Sequence, residues 1–153
     1  MLPTHPVRKQ LDHTVGFHGR FGATFFVTIC CSKRGVNKLC YDDIAHSVFE
    51  TARRYHSLKR WHLKVLLLMP DHLHMLVAVD GETILSNLIR DFKRVTARNA
   101  KIKWQRNFFD HRLRRGESEN EKWEYIRQNP TRTGLASPDA RWQYVLVEAD
   151  LEP

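Results

Sequence analysis

Alternating and continuous runs of apolar residues predict four β-strands in the chain. The first run is β-branched and aromatic, and the second is apolar almost throughout, as in a central strand. The third run follows a Met-Pro-Asp segment, which is predicted to be a turn because Pro and Asp favour turns. The fourth is shorter. These strands are predicted at residues 22–31, 61–68, 72–79 and 108–113.

Apolar positions that recur every three to four residues predict three helices. The first begins at Asp42 or Asp43, which favour N-caps, and extends to about Leu58. The second covers about residues 82–100, with apolar positions at Leu85, Leu88, Phe92 and Val95. The third covers about residues 117–128 and ends before Pro130, because proline disfavours helix in the residue that precedes it.

This order of elements predicts an α+β fold of the ferredoxin-like βαββαβ type, with an antiparallel sheet, helices on one face and an additional C-terminal helix. We expect a single domain over residues 1–153. Within it, the sequence predicts an irregular N-terminal arm at 1–21, a core at 22–136 and a tail at 137–153. One further short strand is predicted in the tail at 144–147.

Composition narrows the class of protein. The 153 residues include 25 Lys and Arg against 17 Asp and Glu, which gives a net charge of +8. Hydrophobic residues make up 42% of the chain, enough to form a buried core. No run reaches the ~18 apolar residues of a membrane span, and the N-terminal residues lack the apolar stretch of a signal peptide. The three cysteines fit a reducing compartment. We expect a cytoplasmic protein with a polyanionic partner and no membrane partner.

The positive charge is concentrated in one segment. Residues 90–115 hold ten basic side chains against two acids, and Trp104, Phe108 and Phe109 lie among them. Interleaved cations and rings suit single-stranded nucleic acid, whose backbone follows the charge while its bases stack. Buried core rings beside a solvated helix face are the alternative. The predicted DNA-binding residues are Arg90, Lys93, Arg94, Arg98, Lys101, Lys103, Arg106, Arg112, Arg114 and Arg115.

Two histidines on the third strand form a candidate metal site. His72 and His74 are two residues apart, so their imidazoles share a face of the sheet. The apolar alternates pack under the helices, which leaves the histidine face as the open side. Paired neutral imidazoles are natural metal ligands. Ordinary surface histidines are one alternative, and a zinc site with Cys30 or Cys31 is another.

The third helix adds a tyrosine and an amide. Tyr125 and Asn129 are four residues apart, which places them on one helix face. Asn129 could complete a nitrogen and oxygen site that suits Mg²⁺ or Mn²⁺. Tyr125 could then act as a nucleophile, assisted by the nearby cation. A tyrosine that anchors a hydrogen bond is the commoner alternative.

These motifs resemble the single-tyrosine HUH transposases related to insertion sequence 200. The run LLMPDHLHML at 67–76 is similar to their His-hydrophobic-His motif, and YIRQNPTRTGL at 125–135 to their tyrosine helix. The segment at 104–111 and the strand run FFVT at 25–28 resemble the branch of REP-associated tyrosine transposases. Departures are Thr131 and Thr133 within the tyrosine motif and a tail without paired serines.

The resemblance implies an enzyme that cuts and rejoins single-stranded DNA at sites marked by a hairpin. Tyr125 would form a 5′-phosphotyrosyl link, and His72, His74 and Asn129 would hold Mg²⁺ or Mn²⁺. Related enzymes act as homodimers or monomers, and both states are open for this chain. The rival class is a DNA-binding domain or repressor that keeps the fold without cutting, although such a protein has no need of all four residues.

Overall fold

The structure, a computed structural model, describes residues 22–114 and 116–151. The predicted arm at 1–21 and Arg115 lie outside the described residues. Five antiparallel strands form one sheet in the order β4-β1-β3-β2-β5. The strands are β1 (Ala23–Cys30), β2 (His62–Met69), β3 (His72–Val79), β4 (Phe109–Arg112) and β5 (Val145–Val147). The first four strands follow the ferredoxin-like order, so the predicted fold class is confirmed.

In the described part of the chain, four helices and a short 3₁₀ segment accompany the sheet. The two long helices follow β1 and β3, as the predicted order requires, and the other two follow β4. Among the described residues, no helix has both the length and the apolar character that crossing a membrane would need. The helices are α1 (Asp42–Ser57), α2 (Leu85–Ala100), α3 (Glu119–Arg127) and α4 (Asn129–Arg132), and the 3₁₀ segment is Glu148–Leu151.

The main core lies between one face of the sheet and the helices α1 and α2. Alternate strand residues point into it, and the predicted apolar positions of both helices meet them. Trp61 and Phe92 are fully buried at its centre, with ring centroids 5.2 Å apart. Burial of this apolar surface is the main force that holds α1 and α2 on the sheet.

A second, smaller core covers the other face of the sheet. Ile126 of α3 packs there on Leu67 and Leu76, and Trp142 of the tail donates from Nε1 to the Leu68 carbonyl at 2.8 Å. The face that carries the predicted histidine pair is therefore partly covered, not left open as the strand pattern suggested. The tail strand β5, which pairs with β2, adds to this cover.

The helix that carries the tyrosine is followed at once by a second, short helix. α3 covers most of the predicted range 117–128 and ends at Arg127, before Pro130 as expected, and α4 begins at Asn129. Pro130 has no N–H to donate to the preceding turn and its ring crowds that turn, which breaks the helix. Proline is nevertheless well accommodated in a first turn, so a new helical turn starts there.

The second helix starts later than its pattern predicts. It begins at Leu85 instead of about Glu82. The Asp80 side chain accepts hydrogen bonds from the Glu82 N–H and the Thr83 hydroxyl. These bonds stabilise a local turn that competes with the first turn of the helix.

Asp91 links the two long helices, and its substitution tests how the helical layer is held. Its carboxylate accepts hydrogen bonds from the Tyr55 hydroxyl and the Arg60 guanidinium, both at 2.8 Å. These hydrogen bonds lower the pKa of Asp91 to about 2, and the bond from Arg60 has the largest effect. The ionised carboxylate therefore stabilises the fold at pH values above about 3.9, which is the pKa of the group in the unfolded chain. This stabilisation is lost as the pH falls towards 2.

We expect Asp91→Asn to lower the free energy of unfolding by about 1 kcal/mol at pH 7, because a neutral amide accepts weaker hydrogen bonds. The difference from wild type should shrink as the pH falls from about 4 towards 2. Urea unfolding across this range measures it, with Glu82→Gln as an exposed control. A difference that stays constant with pH would contradict the assignment.

Candidate active site

The two histidines of β3 stand side by side on the sheet face covered by α3. The ring centroids of His72 and His74 are 4.8 Å apart, with the rings nearly perpendicular. Leu73 and Met75 point to the opposite face and are fully buried in the main core. The predicted sharing of one face by the two imidazoles therefore matches the geometry.

A carboxylate fixes the orientation of the first histidine. His72 Nδ1 lies 2.8 Å from Asp71 Oδ1, while Asp71 Oδ2 accepts from Arg34 Nε at 2.9 Å and from the Gly35 N–H at 2.7 Å. Burial acts to raise the pKa of Asp71, but these hydrogen bonds hold it well below its usual range. An ionised carboxylate can only accept, so Nδ1 carries the proton.

The second histidine is neutral. His74 Nδ1 is hydrogen-bonded to Thr28 Oγ1 at 2.9 Å, and the Phe26 ring meets the imidazole edge-on at 5.5 Å. Burial lowers the pKa of His74 to about 3, and the charges of His72 and Arg132 add to the effect. Both imidazoles thus use Nδ1 for a protein hydrogen bond, the arrangement in which histidines bind a metal through Nε2.

The tyrosine of α3 lies over the same face of the sheet. The Tyr125 ring centroid is 5.9 Å from that of Phe26, which in turn contacts His74. Tyr125 is 50% exposed. It borders an open cleft of about 430 Å³, which is lined by Phe26, Thr28, Phe109, Asp110, His111, Lys122 and Tyr125.

Asn129 stands on α4 and not on the helix of Tyr125, yet one arginine joins the two residues. Arg132 Nη1 donates to the Tyr125 carbonyl and Nη2 to Asn129 Oδ1, both at 2.9 Å. Its guanidinium carbon also lies 3.8 Å from the centroid of the Tyr125 ring. Asn129 is buried, with 8% of its surface exposed. Arg132 is not among the predicted site residues, although its spacing of three from Asn129 and seven from Tyr125 is a helical one.

The two imidazoles suit a divalent cation that takes further oxygen ligands. In the part of the chain that the structure describes, no group of three or more His, Cys, Asp or Glu side chains could hold a metal. His72 and His74 would therefore need an amide, water or substrate oxygen beside them, which suits Mg²⁺ or Mn²⁺ better than zinc. Cys31 lies in the main core on the other face, and burial raises its pKa to about 11.

The predicted DNA-binding residues are divided between two layers. Arg90, Arg94 and Arg98 lie on α2, across the sheet from the histidine pair, and are exposed. Lys93 is half-buried and donates to the Arg106 carbonyl at 2.8 Å, and burial lowers its pKa. The remaining described members lie on the edge strand β4 or on the segments before and after it: Lys101, Lys103, Arg106, Arg112 and Arg114.

The three rings of this segment do not form one stacking surface. Trp104 and Phe108 pack against the main core, and the Trp104 indole donates to Thr96 Oγ1 at 3.0 Å. Phe109 is 67% exposed on β4, paired with Thr28 at the cleft beside Tyr125. The interleaved pattern predicted from the sequence is thus reduced to a single ring, because the other two bury their apolar surface.

A family model identifies the family of the chain, and solved structures share its fold. The family model described as "Transposase IS200 like" matches residues 23–128. No curated protein matches the chain. A structure of a REP-associated tyrosine transposase bound to a REP hairpin is 21% identical, with a TM-score of 0.60, over 76% of this chain and 71% of that one. A candidate transposase from Deinococcus radiodurans R1 is 15% identical, with a TM-score of 0.51, over 74% and 92%.

Proposed function

The chain belongs to the IS200-like transposase family, and we propose on that premise that it cuts and rejoins single-stranded DNA through a covalent bond to Tyr125. The observation that carries this proposal is the placement of an exposed tyrosine over the sheet face of a histidine pair. The Phe26 ring connects them, since it contacts both Tyr125 and His74. A nucleophile and a pair of metal ligands on one surface suit phosphoryl transfer.

In the proposed reaction the Tyr125 hydroxyl oxygen attacks the phosphorus of a phosphodiester. The new bond joins the phenolic oxygen to phosphorus, and the bond from phosphorus to the 3′ oxygen breaks. The phenolic proton is released and the 3′ oxygen leaves as a hydroxyl, so the products are a 5′-phosphotyrosyl link and a free 3′ end. Because the link is itself a phosphodiester, another 3′-hydroxyl can attack it and rejoin strands without an external energy source.

We propose that His72, His74 and Asn129 would hold the divalent metal, Mg²⁺ or Mn²⁺. A bound cation of this kind would polarise the scissile phosphate and orient it for attack. The protein's own contribution is to present the ligands in the right state. Asp71 fixes the proton of His72 on Nδ1, and burial keeps His74 neutral. Asn129 supplies a neutral oxygen from a buried position.

The proposed partner is single-stranded DNA that carries a hairpin. The structural relative at 21% identity is bound to a REP hairpin. We propose the same kind of partner for this chain because its net charge of +8 suits a polyanion. The cations beside β4 lie at the sheet edge next to the cleft, whereas those of α2 lie on the far layer. A strand that reaches Tyr125 would therefore contact the β4 edge first, with α2 available only to DNA that passes round that edge.

Covalent trapping tests the proposal. A single-stranded hairpin oligonucleotide with Mg²⁺ or Mn²⁺ should give an adduct that survives denaturing electrophoresis, because the phosphotyrosyl bond is covalent. A fully paired duplex of the same sequence should give at least about tenfold less, since an in-line attack needs a strand that can enter the cleft. Binding without any adduct would favour the non-cutting repressor instead.

A further inference from the structure

Arg132 occupies a position between the proposed nucleophile and the proposed metal ligand. Its guanidinium lies over the Tyr125 ring and donates to Asn129 Oδ1, so it contacts both functional residues at once.

Among the described residues, only neutral groups contact the guanidinium of Arg132. Its partners are a carbonyl, an amide oxygen and an aromatic ring, and it is exposed. Within residues 22–114 and 116–151, no Asp or Glu forms an ion pair with it. A guanidinium carries more N–H donors than these two hydrogen bonds use. The arginine is thus held in a fixed orientation with N–H groups and a positive charge that can bind an anion.

We propose that Arg132 binds the phosphate that Tyr125 attacks. This inference rests on the proposed function and assigns a further substrate-contacting residue to it. A phosphate attacked by the Tyr125 hydroxyl must come within about 3.5 Å of that oxygen, which brings its other oxygens beside the guanidinium stacked on the same ring. The planar fork of an arginine matches two phosphate oxygens, and the charge that develops on them during attack strengthens the contact.

The position of Arg132 at the break between α3 and α4 also supports this proposal. The hydrogen bonds from Arg132 tie the Tyr125 backbone to the Asn129 side chain across the break between α3 and α4. A phosphate on Arg132 would therefore be presented to the nucleophile and to the metal ligand together. Arg127, five residues earlier, instead stacks over Trp123 at 4.9 Å and provides a matched control.

A double-mutant cycle with a neutral phosphate tests the inference. Wild-type protein is first used to map the cleaved phosphodiester. Binding is then measured in the Tyr125→Phe background, with oligonucleotides that carry a methylphosphonate at the mapped position or two nucleotides away. We expect the methylphosphonate at the cleavage position to weaken binding about five- to tenfold, and less than twofold once Arg132→Gln is added.

Arg132→Lys should keep at least half of the methylphosphonate effect because the charge remains, and it replaces the Gln variant if that variant unfolds at the assay temperature. Arg127→Gln should leave the full effect. An equal effect with and without Arg132, or a lysine variant with none, would overturn the assignment. If wild-type protein forms no adduct, the proposed function fails instead, and the two failures are distinguishable.

Discussion

Tyr125→Phe should reduce the covalent adduct with a single-stranded hairpin to background, a loss of about 10³-fold or more, and leave the binding of that DNA within about twofold of wild type. The phenylalanine ring keeps the contacts with Phe26 and Arg132, so only the attacking oxygen is removed. Denaturing electrophoresis measures the adduct, and fluorescence anisotropy measures binding without metal.

Tyr41 offers a matched control for this change. Tyr41 is 49% exposed, against 50% for Tyr125, and it directly precedes α1. Tyr41→Phe should form the adduct at the wild-type rate. An adduct that persists in Tyr125→Phe would show that another group is the nucleophile.

His72→Ala and His74→Ala should each weaken Mn²⁺ binding to the free protein by about 100-fold and abolish adduct formation together with its dependence on metal. Removing one imidazole leaves a single histidine with a neutral amide, which holds a divalent ion poorly. Isothermal titration calorimetry measures the affinity, and a Mn²⁺ titration of adduct yield measures the dependence.

The control is His46→Ala, because His46 is exposed on α1 across the sheet from the pair. It should bind Mn²⁺ and form the adduct as wild type does. Unchanged adduct formation by the His72 variant, or adduct formation that continues in the presence of a chelator, would remove the metal from the mechanism.

The fold could be predicted because local patterns and burial agree along most of the chain. β3 occupies the predicted residues 72–79, and α1 ends within one residue of its predicted end, since both have clear apolar periods. The end of α3 before Pro130 could also be predicted, because proline disfavours helix in the residue that precedes it. The start of α2 could not be predicted from periodicity, since it depends on the side-chain hydrogen bonds of Asp80. The short helix α4 that follows α3 was not predicted either.

The site could be predicted only as far as spacing along one element reaches. The shared face of His72 and His74 follows from the two-residue period of a strand. The role of Asp71 beside His72 and that of Arg132 beside Tyr125 depend on side-chain hydrogen bonds that the spacing of apolar residues does not indicate. The division of the basic segment between two layers likewise depends on which face α2 covers.

Peptide mapping of the covalent adduct tests the central claim most directly. Wild-type protein would be incubated with the hairpin oligonucleotide and Mn²⁺, digested with nuclease and protease, and analysed by tandem mass spectrometry. We predict one modified peptide that carries a 5′-linked nucleotide on the oxygen of Tyr125. A nucleotide found on Tyr41, Tyr55, Tyr144 or any other side chain, or cleaved DNA with no modified peptide, would contradict the account.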